Sequence, residues 1–351
     1  MDNDLGKVAE LREKMMPYAG QKILLVLRGA PDTDSISSAM THKAILNSWG
    51  IGSTILYVEE VSHQENRALL KLLGIELTQY RPGFPFKEYK AIALVDSQRP
   101  DIKLADILKE MPTASIVDHH DQAPNLKADF IDIRKNVGST ATIYAEYLQR
   151  LNLLETIGED SAAIATALMH GIRVDTGDLI TAQENDFLSL AYLRRYADVD
   201  LIGKISQQNL SPSTMDIIFQ AYQHKEIYEN FLLAAAGVVR KEDRDAIPQA
   251  ADFFLKRAGV DTVMVYGIVG EYIDCSIRTN SDVIQPEKFI QDTFPDVVTG
   301  EYGGRFDAGG FRLPLGIFKT LVSGDDKNAL SVLVDRYIKK QIMLKFGFEK
   351  G

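Results

Sequence analysis

Cysteine is nearly absent: Cys275 stands alone in 351 residues. That excludes a disulfide framework and a cysteine-rich zinc site, and a lone cysteine reads as a core residue before it reads as a nucleophile. An excess of positive charge is also missing. With 39 Lys and Arg against 49 Asp and Glu, the formal net charge is −10, which argues against a broad basic groove gripping long duplex nucleic acid by its phosphates. No apolar run reaches spanning length, so no membrane partner is expected. The opening MDNDLGKVAELREKMM is charged and helix-prone, without the apolar centre of a secretory signal, so a cytoplasmic location is the expectation. Histidine is scarce as well, at six, yet two of the six are adjacent in VDHHDQAP, residues 117 to 124.

What is present is ordinary for a globular protein, with 45% hydrophobic and 25% charged residues. A chain of 351 residues is long for one core, and two domains are expected. KILLVLRGA (22 to 30), STILYVEE (53 to 60), YKAIALVDS (89 to 97) and TASIVDHH (113 to 120) are short apolar runs of the kind buried parallel strands show. SISSAMTHKAILNSWG places Ile36, Met40 and Ala44 at helical spacing and stops at Gly50, and GSTATIYAEYLQRL and DSAAIATALMHGI also read as helices. Strands alternating with helices predict an α/β fold, a parallel sheet with helices on both faces, over residues 1–190. From Glu184 to Phe231 the pattern is helical and polar without a strand, giving a helical connector over 191–231. A smaller mixed α/β domain over 232–351 follows, closing on the amphipathic KNALSVLVDRYIKKQIMLKF.

Acids recur where the apolar runs end. RGAPDTD places Asp32 and Asp34 after the first, LVDSQ places Asp96 after another, IVDHHD supplies Asp118, His119 and His120, and GIRVDTGD supplies Asp175 and Asp178. The carboxyl ends of strands in an open parallel sheet share one edge, where ligands bind, so these segments should bring their acids to one place. Crowded carboxylates protonate unless cations neutralise them. Oxygen and imidazole ligands without thiolate suit manganese or magnesium, with zinc also open. Two such ions about 3.5–4 Å apart activate a water and hold the entering and leaving oxygens of a phosphoryl centre. Each acid taken singly reads more readily as a helix cap or turn residue than as a ligand, and Pro31 favours a turn at PDTD. Their co-occurrence with a histidine pair favours the metal.

The same residues resemble the DHH phosphoesterase superfamily: Asp118-His119-His120, the upstream PDTD, the intervening Asp96 and the later GIRVDTGD stand in that family's order. GGRFDAGGF (303 to 311) looks like the signature of the associated C-terminal substrate domain. The chain looks most like the small two-domain members, the nano-RNases that degrade very short RNA and dephosphorylate 3′-phosphoadenosine 5′-phosphate, and their relatives that hydrolyse cyclic dinucleotides. The resemblance implies two divalent metals, Mn2+ first and Mg2+ second, held by Asp32, Asp34, Asp96, His119 and Asp175, with Asp96 bridging. It implies catalytic roles for His120, near the scissile phosphate, and for Asp118, which orients the site. It also implies substrate contacts by Gly303, Gly304, Arg305 and Arg278, a cleft between the domains, and a possible homodimer.

One position departs from the family pattern. Where the first motif has a histidine three residues before Pro-Asp, this chain has Arg28, which stays protonated and has no lone pair to give. Arg28 therefore reads either as a bidentate phosphate contact or as the mark of a catalytically weakened, nucleotide-binding regulatory protein. His42, one helix further on, reads as a helix residue and not as a substitute ligand. The expected substrates are short RNA oligonucleotides or nucleotide 3′,5′-bisphosphates, with cyclic dinucleotides as an alternative and inorganic pyrophosphate or polyphosphate as a weaker one.

Overall fold

The first four apolar runs form adjacent strands of one sheet in a computed structural model that describes residues 6–61, 63–206, 210–295, 302–304, 307–322 and 326–347. The chain divides into two units, Met1–Gln208 and Asn209–Gly351. In chain order the first unit holds α1 (Gly6–Met15), β1 (Lys22–Val26), α2 (Thr33–Ser48), β2 (Gly52–Tyr57), α3 (Gln64–Leu73), β3 (Thr78–Gln79) and β4 (Ala91–Val95). It continues with α4 (Ile102–Leu108), β5 (Thr113–Asp118), β6 (Phe130–Ile133), α5 (Thr140–Leu151), α6 (Asp160–Asp175), α7 (Glu184–Leu193) and α8 (Val199–Ser206). The sheet runs β3-β2-β1-β4-β5-β6 and every pairing is parallel.

Burial on both faces explains why the strands read as continuous apolar runs. Leu24 and Val26 of β1 pack with Ile92 and Leu94 of β4 and with Leu104 and Leu108 of α4. Ile23 and Leu25 face the other way, into a cluster with Leu11 of α1, Ile45 of α2 and Tyr144 and Tyr147 of α5. Each such side chain contributes about 1.5–3 kcal/mol by leaving water. The chain leaves β1 toward β2 and β3, then returns to β4 on β1's other side, so a crevice opens where the order reverses, between the ends of β1 and β4. The loop ending at Asp32, the first turn of α2 with Asp34, and the loop carrying Asp96 lie there.

Two strands lie outside the sequence expectation in this unit. β3 has only two residues, and β6 is the short run Phe-Ile-Asp-Ile at the sheet edge; neither is long or apolar enough to stand out. The four expected strands also end earlier than the runs suggest. β5 stops at Asp118, leaving His119 and His120 beyond the ladder.

The second unit holds α9 (Pro212–Gln223), β7 (Lys225–Tyr228), β8 (Phe231–Val239), α10 (Ala246–Leu255), β9 (Thr262–Val269), β10 (Tyr272–Thr279) and α11 (Pro286–Thr293). It ends with β11 (Tyr302–Gly304), β12 (Ala308–Pro314), α12 (Gly316–Thr320) and α13 (Lys327–Phe346). Its sheet runs β11-β12-β10-β9-β8-β7, with β8 and β9 parallel and the other pairs antiparallel. β7 falls inside the stretch read as helical from Glu184 to Phe231. It is a partly exposed edge strand hairpinned onto β8 through Glu229, whose φ is 55°, and such an edge needs no alternating apolar pattern to pair. Met264, Tyr266 and Ile268 of β9 face α11 and α13, whereas Val263 and Val265 face α9 and α10. Cys275 is a core residue, and burial pushes its thiol up. Ile342 is fully buried and the Phe346 ring lies 5.1 Å from that of Phe231, so the C-terminal helix packs on its own unit. Among the described residues no helix is long and apolar enough to cross a membrane.

Candidate metal centre

Asp32 ends the loop after β1 and caps α2: its Oδ1 accepts the Ser35 amide at 2.9 Å while Ser35 Oγ accepts the Asp32 amide at 3.0 Å. The cap reading of this acid is thus realised. Starting the helix here turns Asp34 inward, where its side chain is almost wholly buried and reaches the start of α5. Thr140 N donates to Asp34 Oδ2 at 2.8 Å, and Ala141 N to Oδ1 at 2.7 Å. First-turn amides lack intrahelical partners and carry the positive end of the helix dipole, so a carboxylate satisfies them.

Asp96 follows β4 with φ 55°, a left-handed backbone unusual for a non-glycine residue, and Thr140 Oγ1 donates to its Oδ1 at 2.8 Å. One turn of α5 therefore holds two carboxylates from two strand ends. Burial pushes both acids well up, aided for Asp34 by the charges of Asp175 and Asp32 and for Asp96 by those of Asp34 and Asp32, against the lowering effect of the Thr140 and Ala141 hydrogen bonds.

The last residue of α6, Asp175, is brought in by close helix packing. A Cβ on Gly171 would lie 2.6 Å from Ser37 Oγ and 3.2 Å from the Thr33 carbonyl oxygen, so only glycine lets α6 approach α2 this closely. His119 Nε2 then lies 3.2 Å from Asp175 Oδ2, 3.8 Å from Asp96 Oδ1 and 3.9 Å from Asp34 Oδ2. Burial, helped by His120, pushes His119 down to about 4, so the ring is neutral and has a lone pair to give.

Asp118 Oδ1 accepts the amides of His119 and His120 at 2.9 and 3.3 Å and faces His120 Nδ1 at 2.8 Å; Oδ2 accepts Gln98 Nε2 at 2.6 Å. Burial alone would raise Asp118, but the bonds from His120 and Gln98 hold it below its ordinary value, and Asp118 in turn raises His120. The His120 ring is 61% exposed and thus accessible to a substrate.

Asp34, Asp96, His119, His120 and Asp175 are therefore gathered, as two sets of possible ligands: Asp34, His119 and Asp175, and Asp96, His119 and His120, with the ligand atoms of each set within 4.8 Å of one another. Asp32 is exposed and belongs to neither set. Asp178 is turned outward and pairs with Arg173 at 3.2 Å. Arg28 is exposed, without a hydrogen bond or ion pair among the described residues. His42 sits within α2, fully buried, with Nδ1 2.7 Å from the Tyr144 hydroxyl. Thr140, Gln98 and Gly171 escape sequence reading: only the Gly-Ser entry before Thr140 hints that the start of α5 has a task.

The donor set fits a divalent cation. No lysine or arginine among the described residues lies within ion-pair distance of Asp34 or Asp96, and buried carboxylates without a counter-charge either take up protons or bind a cation.

In the second unit a cavity of about 470 Å³ is lined by Arg244, Asp274, Ser276, Arg278, Gly303 and Gly310, among others. Arg278 donates to Asp252 through Nε at 2.6 Å and to Ser276 Oγ at 2.9 Å. Buried Asp274 accepts Arg244 and Arg312, both at 2.9 Å. Gly303 pairs with Gly310 and Gly304 with Gly309 across β11 and β12, and a Cβ on Gly309 would meet Pro286 of α11 at 2.8 Å. Arg305 lies outside the described residues.

Residues 22–172 match the DHH family, N-terminal domain. The chain is 33% identical over 331 residues to the uncharacterized protein MJ1633 of Methanocaldococcus jannaschii, covering 93% of this chain and 65% of that protein, and so spans less than two thirds of the length of that relative. An exopolyphosphatase-related protein from Bacteroides fragilis shares the fold, with TM-score 0.68 and 16% identity over 96% of this chain and 98% of that one. A putative family II inorganic pyrophosphatase from Methanococcus jannaschii superimposes more loosely, with TM-score 0.41 and 18% identity over 90% of this chain and 99% of that one.

Proposed function

We propose that this protein, whose residues 22–172 match the DHH family, N-terminal domain, is a divalent-metal-dependent phosphoesterase that hydrolyses short oligoribonucleotides or nucleotide 3′,5′-bisphosphates. The observation that carries the proposal is the convergence of Asp34, Asp96 and Asp175 on neutral His119, with no lysine or arginine among the described residues paired to Asp34 or Asp96. Two divalent ions, Mn2+ or Mg2+ in its place, would be held by these four residues, with Asp32 adding its charge at the rim. Bound divalent ions supply Lewis acidity toward a phosphoryl group and neutralise the charge that develops on it.

The chain's own residues do the rest. Asp118 raises His120, an accessible imidazole placed to give a proton to the leaving oxygen. Arg28, exposed and unpaired, anchors a non-bridging phosphate oxygen through its guanidinium. In the second unit, Arg278 and the Gly303–Gly304 strand select the nucleotide, with Arg305 in the same role. A net charge of −10 favours short substrates anchored locally over long ones tracked along a basic groove.

The test is release of mononucleotides from a 5′-phosphorylated RNA dinucleotide by metal-stripped protein with Mn2+ restored, beside His119→Ala. Turnover should require Mn2+ and vanish in the variant. Folded protein that binds nucleotide without turning it over, with or without Mn2+, would instead establish a nucleotide-binding protein.

A further inference from the structure

Beneath the candidate ligands lies a second carboxylate, on which the first turn of α5 depends. Asp186, in the first turn of α7, is fully buried. Its two oxygens take Gly138 N at 3.0 and 2.9 Å, Thr142 Oγ1 at 2.5 Å and Gln183 N at 2.6 Å. Gly138 and Thr142 bracket Ser139, the cap of α5, whose Oγ accepts the Thr142 amide at 3.2 Å. The two residues enclosed with it, Thr140 and Ala141, present the amides that hold Asp34, and Thr140 presents the hydroxyl that holds Asp96. Gly138 is also wedged against α6: a Cβ there would fall 2.4 Å from Thr176 Cγ2 and 2.7 Å from Asp186 Oδ2. Thr176 is the residue after Asp175. The α5 turn that holds Asp34 and Asp96 is thus tied to one buried side chain outside the ligand sets, and the residue after Asp175 packs against the same Gly138.

We infer that Asp186 is a positioning residue of the metal centre, fixing the α5 turn from which Asp34 and Asp96 are suspended. The inference rests on the metal-centre reading above. A carboxylate suits the position because the Gly138 and Gln183 amides and the Thr142 hydroxyl all donate to its oxygens; an amide there would turn a donor toward one side, where the Thr142 hydroxyl can accept but a backbone N–H cannot. Removing it frees the turn, and the two acids lose their common reference.

The test uses Asp186→Ala and Asp186→Asn in the full chain, with Asp132→Asn as control. Asp132 is likewise a buried carboxylate of the first unit, held by Arg134 and Tyr147 and outside the ligand sets. Mn2+ binding to metal-stripped protein is measured by calorimetry at a temperature where circular dichroism shows each variant folded. Amide exchange at Thr140 and Ala141 is followed in the same metal-free samples. The Asp186 variants should lose Mn2+ affinity ten- to a hundredfold, in the range of other groups that orient metal ligands. They should lower kcat with KM nearly unchanged, and exchange the two amides faster than wild type. The control should lose comparable thermal stability and keep Mn2+ affinity. Wild-type affinity and exchange in Asp186→Ala, or an equal loss of affinity in the control, would overturn the inference. If wild-type protein takes up no Mn2+, the metal-centre reading fails by itself, and the exchange result still decides whether Asp186 holds the turn. Should Asp186→Ala not fold, Thr142→Val removes one of the same bonds and is read in the same way.

Discussion

The acids of the first unit and the arginines of the second solve opposite electrostatic problems. The side chains of Asp34 and Asp96 are buried, fixed by amides and a hydroxyl, and without an ion-paired lysine or arginine among the described residues. Around the cavity of the second unit every charge named is already answered: Asp274 by Arg244 and Arg312, Arg278 by Asp252, with side chains of Arg244 and Arg312 44% and 36% exposed. Charge left uncompensated in a low-dielectric place is a standing demand for a cation. Arg278, held by the exposed carboxylate of Asp252, can exchange that partner for a passing phosphate at little cost. The first arrangement suits a reacting centre, and the second suits recognition.

The sharpest way to break that contrast is Asp96→Asn. Asparagine keeps an acceptor for the Thr140 hydroxyl and tolerates the left-handed backbone at this position. It also removes a charge that burial and Asp34 disfavour. Metal-free protein should melt at the same temperature or a few degrees higher, whereas the stabilisation by Mn2+ and the turnover should both be lost. A variant that melts lower without metal would mean that the ionised acid is already compensated. A smaller effect, of a different kind, is expected from Arg278→Ala. KM for the RNA dinucleotide should rise about tenfold, equivalent to about 1.4 kcal/mol, with kcat and Mn2+ affinity unchanged. Altered Mn2+ binding in this variant would erase the division of labour between the two units.

How far this division can be read in the sequence depends on how local its causes are. The strands around β1 and β4 are legible because burial on both faces leaves unbroken apolar runs, and their loops declare the acids by position. Asp118 and His120 are legible as neighbours in one tripeptide. By contrast, the glycine at 171 reads as an ordinary helix residue until α2 is laid against it. Gln98 and Asp186 act on partners 20 and 48 positions away in the chain, and no periodicity reports such contacts. Asp32 shows the converse: sequence reading offers both a cap and a ligand, and the cap bond is the contact made. The edge strands β3 and β7 are missed because an edge can pair without an apolar face.

A last effect concerns pH and separates the units by their histidines. His42, His119 and His170, all in the first unit, are pushed down to about 4, in each case mainly by burial; the second unit contains only His224. A histidine whose folded value lies below its unfolded value of 6.5 binds fewer protons when folded. Its contribution is therefore complete above 6.5 and is lost as pH falls from there toward 4. For fully buried His42 the loss is on the order of 3 kcal/mol. Asp34 and Asp96 have the opposite sign, since their raised values favour the fold on acidification. Comparing wild type with His42→Asn, whose amide still meets the Tyr144 hydroxyl, cancels both acids. The only tryptophan, Trp49, lies in the first unit, so its fluorescence reports that unit while circular dichroism reports both. On acidification from 6.5 toward 4, wild-type fluorescence should change before the dichroism does, and His42→Asn should narrow the gap. Coincident transitions in both proteins would show that the two units unfold as one and that the buried histidines do not set the order.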